Sequence, residues 1–233
     1  MNEVKNYYKF IPKNLKPKYY NPNYEKHKII LPARILCIGG SGSGKTNTLI
    51  HFIHITSGTF EYIALCVKSK EEPLYLYLED KLKDRLDIFE NGDIPDIESF
   101  QDKGQSLIIF DDLILQKDQK KIEEYFIRGR KVGGGITMFY LSQSYYKIPK
   151  IIRINSNYLI IKKLSSKKDL SLILNEYNIN TPIEKILKMY EIATSKKEDS
   201  LLIDIDADEN DKFRRNFLEV FNVDNIQVKR IKK

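Results

Sequence analysis

The chain has 233 residues, of which 42% are hydrophobic and 30% charged, with 15 Tyr and 11 Phe. This mixture buries a substantial core and excludes a disordered chain, a collagen, a coiled coil or a mucin-like stalk, while the length suits one generous domain. The net charge of +7 permits a polyanionic partner. Lys, Ile, Asn and Tyr all have A/T-rich codons, however, so the bulk excess says little and local clustering has to carry the argument.

No apolar run reaches the roughly 18 residues that a spanning helix needs, and Met1-Asn2-Glu3-Val4-Lys5 lacks a secretory apolar stretch. The expectation is a soluble protein with no membrane partner. Cys37 and Cys66 both stand inside apolar runs, which reads as two buried thiols rather than a disulfide or a thiolate metal site.

Residues 1–28 form a basic arm rich in Tyr and Pro. Pro12, Pro17 and Pro22 forbid a continuous helix, so the segment is expected to lie extended on the domain or on a partner. Arg34 to Ile38 is then a short apolar strand running into Gly39-Gly40-Ser41-Gly42-Ser43-Gly44, and Lys45 to about Ile55 reads as a helix. A strand follows at Tyr62 to Cys66 and a helix at about Pro73 to Lys83, with Leu74, Leu78 and Leu82 at four-residue spacing. Residues 87–104 are turn-rich. Ser106 to Phe110 is a continuous apolar strand ending in Asp111-Asp112, followed by a charged helix at about Asp118 to Ile127, a triple glycine at 133–135 and a strand at Ile136 to Leu141. A strand at Asn157 to Ile161 and a helix at Leu170 to Tyr177 come next. Thr181-Pro182-Ile183-Glu184 opens another helix as a capping box with proline at its first position, and Leu201 to Ile205 adds an edge strand. Residues 29–205 are thus one α/β domain with a mainly parallel sheet covered by helices on both faces, and 206–233 a basic tail packing on it.

Gly39-x-x-x-x-Gly44-Lys45-Thr46 matches the P-loop pattern in full, between the strand and helix that give it meaning. The glycines let successive N–H groups turn inward as an anion nest at a helix N-terminus, so Gly39, Gly40, Ser41, Gly42, Ser43, Gly44, Lys45, Thr46 and Asn47 are the expected nucleotide contacts. Lys45 is placed for the β and γ phosphates of ATP and the Thr46 hydroxyl for Mg²⁺. The strand ending in Asp111-Asp112 supplies a carboxylate where ligands of open α/β sheets bind: Asp111 on the metal side, Asp112 toward the γ-phosphate to orient or deprotonate water. The chain between Lys45 and Asp111 has room for an extra strand and helix, which suits the RecA-like additional-strand ATPases. Gln143, at the tip of the strand after Asp112, is the expected polar sensor.

Together, Ile38 to Thr46, Leu107 to Asp112, Arg128-Gly129-Arg130-Lys131 and Leu141-Ser142-Gln143-Ser144-Tyr145-Tyr146 with Ile148-Pro149-Lys150 and Ile152-Arg153 resemble the FtsK/HerA superfamily of P-loop ATPases. Within it they are most similar to the poxvirus-type genome-packaging ATPases of large DNA viruses and their virophage or polinton-like relatives. The resemblance implies a homo-oligomeric ring, pentamer or hexamer, that drives double-stranded DNA into a viral capsid or through its portal vertex. It further implies action in the host cytoplasm at the viral factory, or on the virion, and an arginine finger supplied in trans that falls on Arg128 or Arg130. Cellular branches carry Glu where this chain has Asp112.

Residues 147–168 hold Lys147, Lys150, Arg153, Lys162, Lys163, Lys167 and Lys168 with no acid, the strongest local charge bias and the expected track for DNA phosphates. Lys229, Arg230, Lys232 and Lys233 form a second basic run. His51 and His54 lie one turn apart without an evident thiol or carboxylate partner, which reads as helix packing rather than ligation. Two other functions remain open at this point: a P-loop nucleoside or nucleotide kinase, whose lid would have to use Arg214-Arg215, and a nucleotide-switched DNA- or capsid-binding subunit.

Overall fold

The structure, a computed structural model, describes residues 4–113, 119–165, 167–177 and 179–231. Its strands are β1 (Arg34–Ile38), β2 (Tyr62–Cys66), β3 (Leu86–Phe89), β4 (Ser106–Asp111), β5 (Ile136–Ser142), β6 (Tyr158–Ile161), β7 (Leu201–Asp204), β8 (Phe213–Arg215), β9 (Glu219–Asn222) and β10 (Gln227–Arg230). The helices are α1 (Tyr24–His27), α2 (Lys45–Ile55), α3 (Pro73–Leu82), α4 (Gln119–Arg128), α5 (Lys150–Asn155), α6 (Lys167–Glu176), α7 (Ile183–Ala193) and α8 (Glu209–Lys212).

All ten strands join one sheet in the order β10-β9-β8-β7-β6-β1-β5-β4-β2-β3. From β6 to β3 the pairing is parallel; from β6 outward to β10 it is antiparallel. Parallel strands need covered faces, and the sequence supplies them by strand periodicity. Leu36, Ile38, Ile108, Phe110, Met138 and Tyr140 face one core with side chains of α4, α5, α6 and α7. Ile35, Cys37, Ile109, Phe139 and Leu141 face the other, with Leu49 and Phe52 of α2 and Tyr75 and Leu78 of α3.

Strand β5 lies between β1 and β4, so the glycine-loop strand and the aspartate strand are separated by the strand that ends in Ser142-Gln143. This is the extra-strand order expected from the spacing. Register aligns the three tips: Ile38 pairs with Ser142, and Asp111 with Leu141. Whatever follows each strand is therefore delivered to one edge.

Four expectations need correction. The turn-rich stretch after residue 86 contains β3, a four-residue edge strand too short to show a period. The C-terminal segment read as a tail contributes β8, β9 and β10 to the same sheet. Those strands have only three or four residues each and mix charged or polar side chains with apolar ones, so they carry no apolar run. The capping box at 181–184 is not formed: the Pro182 carbonyl accepts from Lys185 and Ile186, which makes Pro182 itself the N-cap. The arm contains two short 3₁₀ turns, Tyr7–Lys9 and Lys13–Leu15, and the four-residue α1 rather than a fully extended chain. From Tyr19 onward it lies on the domain. Tyr20 and Gln105 exchange hydrogen bonds of 2.7 and 3.0 Å, and the Tyr19 hydroxyl reaches the Arg130 carbonyl at 3.4 Å.

Candidate active site

The loop after β1 turns through Gly42 (φ +66°) and Gly44 (φ +84°), left-handed conformations that L side chains adopt only with strain, and releases α2 at Lys45. Gly39 is required for a different reason: a Cβ there would lie 2.5 Å from the Cβ of Lys162. The Lys45 ammonium folds back over the loop and donates to the carbonyls of Gly39 (2.9 Å) and Gly40 (3.2 Å). In front of it opens a cavity of about 760 Å³ bounded by Ser41 to Asn47, the segment after β2, Tyr75, Asp111, Asp112, Gln143, Lys197 and Glu198. Free N–H groups at a helix N-terminus, a flexible ammonium and a cavity of this size fit a nucleoside triphosphate.

Asp111 closes β4. Burial pushes its carboxyl up to about 6, against the opposing pull of a hydrogen bond from Tyr75 and the charge of Lys45. The Tyr75 hydroxyl donates to Asp111 Oδ2 and also engages the Thr46 side chain, and burial together with Asp111 raises the phenol far above its usual range. One tyrosine oxygen thus joins the two groups expected on the metal side. A hydroxyl and a carboxylate this close are hard oxygen donors of the kind magnesium takes, with phosphate oxygens and water completing its shell, so the residues fit the ion.

Asp112 adopts a left-handed backbone (φ 54°), which turns the chain off the strand. Its carboxylate accepts from the Gln143 amide at 2.7 Å. Lys45, Thr46, Asp111, Asp112 and Gln143, expected from the sequence to act together, line one cavity.

Arg128 and Arg130 do not. Arg128 closes α4 and Arg130 follows it at the opposite edge, where the chain enters β1 and β5; Arg34, at the start of β1, bonds the Phe126 carbonyl and feels the charge of Arg130. Strand β1 alone puts roughly 13 Å between that edge and the glycine loop. Arg128 is held by Glu98 and Glu124, whereas the Arg130 guanidinium has no hydrogen-bond or ion-pair partner among the described residues. The triple glycine nearby answers a packing need: a Cβ on Gly133 would lie 2.1 Å from the Phe100 carbonyl oxygen.

Two of the expected DNA residues are corrected. Lys162 is fully buried behind the glycine loop, its ammonium donating to Thr48 Oγ1 (3.2 Å) and the Glu198 carbonyl (2.6 Å). Arg153 is committed to Glu176, with Nε 2.9 Å from the carboxylate, and to the carbonyls of Tyr145, Tyr146 and Ile148. A one-dimensional charge count cannot see that β6 carries the first lysine inward or that Glu176 returns from α6. Lys147, Lys150, Lys163 and Lys168 are on the surface, and the Lys167 side chain, like Lys232 and Lys233, lies outside the described residues. His51 stacks on His54 and packs against Phe217, ring centroids 6.4 and 5.6 Å apart. Among the described residues no group of three His, Cys, Asp or Glu side chains gathers as a metal site.

The sequence reading missed Tyr75 and misassigned Lys162. The signal for the first was present: a polar-tipped aromatic in the first turn after Pro73, at an edge to which a buried strand delivers an acid.

The model of the Poxvirus A32 protein family matches residues 23–216. The chain belongs to that family. No curated protein matches this A32-family chain. Among solved structures, the genome packaging NTPase B204 from Sulfolobus turreted icosahedral virus 2 bound to AMP is similar with a TM-score of 0.57 at 16% identity, covering 87% of this chain and 98% of B204. The DNA-packaging ATPase B204 from Sulfolobus turreted icosahedral virus gives 0.56 at 16%, with 85% and 96% covered. The cytoplasmic domain of the type VII secretion ATPase EccC from Thermomonospora curvata gives 0.50 at 13%, covering 76% of this A32-family chain and 25% of EccC. At these identities the likeness is one of fold, the RecA-like P-loop architecture.

Proposed function

We propose that this A32-family chain is an ATP-hydrolysing motor that drives double-stranded viral DNA into a capsid, working as a homo-oligomeric ring. The observation that carries hydrolysis is the Asp112–Gln143 hydrogen bond of 2.7 Å at the tip of β5, beside the phosphate cradle. An amide and a carboxylate locked together at the γ-phosphate end of the cavity are built to hold and polarise a water molecule. Lys45 exchanges its two carbonyl bonds for phosphate oxygens. Thr46 and Asp111 would hold magnesium, which supplies neutralisation of charge on the β and γ phosphates. DNA and capsid as partners are supported by family membership and by the fold shared with B204, the packaging enzyme of another virus. Surface Lys147, Lys150 and Lys163 remain the phosphate contacts this reading uses.

Arg130 is the finger we assign. It stands on the far edge of its own sheet, so it serves only a neighbouring copy, and it is free of the carboxylates that hold Arg128. A small-molecule kinase loses support because its lid arginines are taken: Arg214 is buried against Asp204 at 3.3 Å and the His27 carbonyl, and Arg215 pairs with Glu219 at 2.5 Å. The test is phosphate release with and without duplex DNA. Stimulation by DNA, lost in Lys45→Ala and in Arg130→Ala but partly regained on mixing the two, supports a motor firing in trans. DNA-independent release with no rescue on mixing would remove it.

A further inference from the structure

Among the described residues the N-terminal arm and a groove between α6 and α7 are both uncovered, and they complement each other. Residues 4–18 make no hydrogen bond or ion pair with the rest of the described residues, and Val4, Tyr7, Tyr8, Phe10 and Leu15 are each at least 68% exposed. The same stretch carries Lys5, Lys9, Lys13, Lys16 and Lys18 and no acid. Exposed apolar side chains gathered this densely are rare on a solitary soluble chain and mark a docking element. Valine, phenylalanine and leucine have nothing to offer a phosphate backbone, which argues for a protein surface over nucleic acid.

The groove lies across the molecule. Leu170 and Leu174 of α6 and Ile183, Leu187 and Tyr190 of α7 line about 620 Å³ of mostly apolar space, with Glu191 on its wall. Glu184 stands two turns earlier on α7, and neither glutamate has an ion-pair partner among the described residues. Leu164 and Ser165 line both this groove and the hollow under the glycine loop, so the groove borders the cradle edge of the sheet. The arm leaves the domain at the other edge, where Tyr19 reaches the Arg130 carbonyl.

We infer that the arm of one copy docks in the α6–α7 groove of the next copy of this chain, its aromatic residues filling the apolar floor and its lysines meeting Glu184 and Glu191. The inference rests on the ring reading above: an arrangement that carries Arg130 to a neighbour's cradle brings the root of the arm to the same junction. Fifteen residues span up to about 50 Å when extended, ample to cross it.

The experiment uses full-length chains. Cys37 and Cys66 are both fully buried, so a cysteine placed on the surface reacts alone. Phe10→Cys and Ile183→Cys proteins, mixed and oxidised, are expected to yield a covalent two-chain species. Separately, the exposed pair Tyr7→Ser and Phe10→Ser is expected to weaken assembly on the order of 10- to 100-fold, as loss of aromatic anchors does, with nucleotide affinity of the single chain unchanged. Assembly that resists these substitutions, with no link in the mixture, overturns the docking while leaving the ring intact. A disulfide formed only within one chain carrying both cysteines means the arm covers its own groove, and reduced duplex DNA affinity with unchanged assembly means it is a DNA arm; either result overturns it. A wild-type chain that stays monomeric with nucleotide and DNA overturns both this inference and the ring.

Discussion

Replacing Lys162 by Met keeps most of the stem that packs on Gly39 and removes only the ammonium. That group makes two hydrogen bonds, 3.2 Å to Thr48 Oγ1 and 2.6 Å to the Glu198 carbonyl, from a position with no solvent exposure. Hydrogen bonds from a charged donor contribute about 1.5–3 kcal/mol each, and relief of the buried charge returns part of that. A net loss of about 2–3 kcal/mol is expected, or about 5–10 °C in Tm for a domain of this size. Because Glu198 and Lys197 border the nucleotide cavity, freeing their loop should also weaken nucleotide binding about tenfold, the equivalent of one lost anchor. Thermal denaturation and nucleotide titration measure both. Duplex DNA affinity against salt is the deciding comparison, since a lysine on a phosphate would lower the slope by about 0.9 and a buried one leaves it unchanged. An unchanged Tm with a reduced slope would refute the argument from burial.

Asp112→Asn and Gln143→Ala should each reduce single-turnover hydrolysis by about 10²- to 10⁴-fold while nucleotide affinity stays within about twofold; a loss of affinity that accounts for the rate loss would contradict a water-positioning pair. Glu176→Ala, which removes the carboxylate from the half-buried Arg153 but leaves its three carbonyl partners, should cost about 1–3 kcal/mol in urea unfolding without altering the salt slope of DNA binding. Two titrations oppose each other in the nucleotide-free protein. Asp111, raised from 3.8 to about 6, holds its proton in the folded state first, so its share of stability grows as pH falls through about 6 and shrinks as pH rises. His27, lowered from 6.5 to about 4 chiefly by burial and by nearby Arg214, is protonated first in the unfolded chain, so its share is lost over that descent. Each amounts to roughly 3 kcal/mol. Between pH 6.5 and 4 the stability of the wild type relative to Asp111→Asn should therefore rise by about 3 kcal/mol as pH falls; parallel curves would refute the assignment.

Much of the site was legible before any coordinates, because its parts are local. A glycine loop between an apolar strand and a helix, and an acid pair ending a buried strand, need no knowledge of the partner strands to be recognised. Gln143 was also legible, since parallel strands bring all their C-terminal tips to one edge. What escaped depended on contacts far apart in sequence. Tyr75 matters only because α3 lays it over Asp111 and Thr46, 36 and 29 positions away in number. Lys162 and Arg153 look like surface charge until β6 and α6 fold one inward and bring a carboxylate to the other. The strands from β8 to β10 escaped because each has only three or four residues. Antiparallel pairing on a half-wet ribbon leaves no continuous apolar run to notice.

Among the described residues that ribbon ends in β10, which pairs with β9 on one side and is open on the other. An open strand is a template on which foreign chains can add by backbone hydrogen bonding, and a packaging motor would be held at high local concentration where such growth does most harm. Lys229 and Arg230 sit on this outermost strand, where charge is the common guard against sticky edges. Lys229 and Arg230 thus have a structural use, that of keeping the sheet ten strands wide.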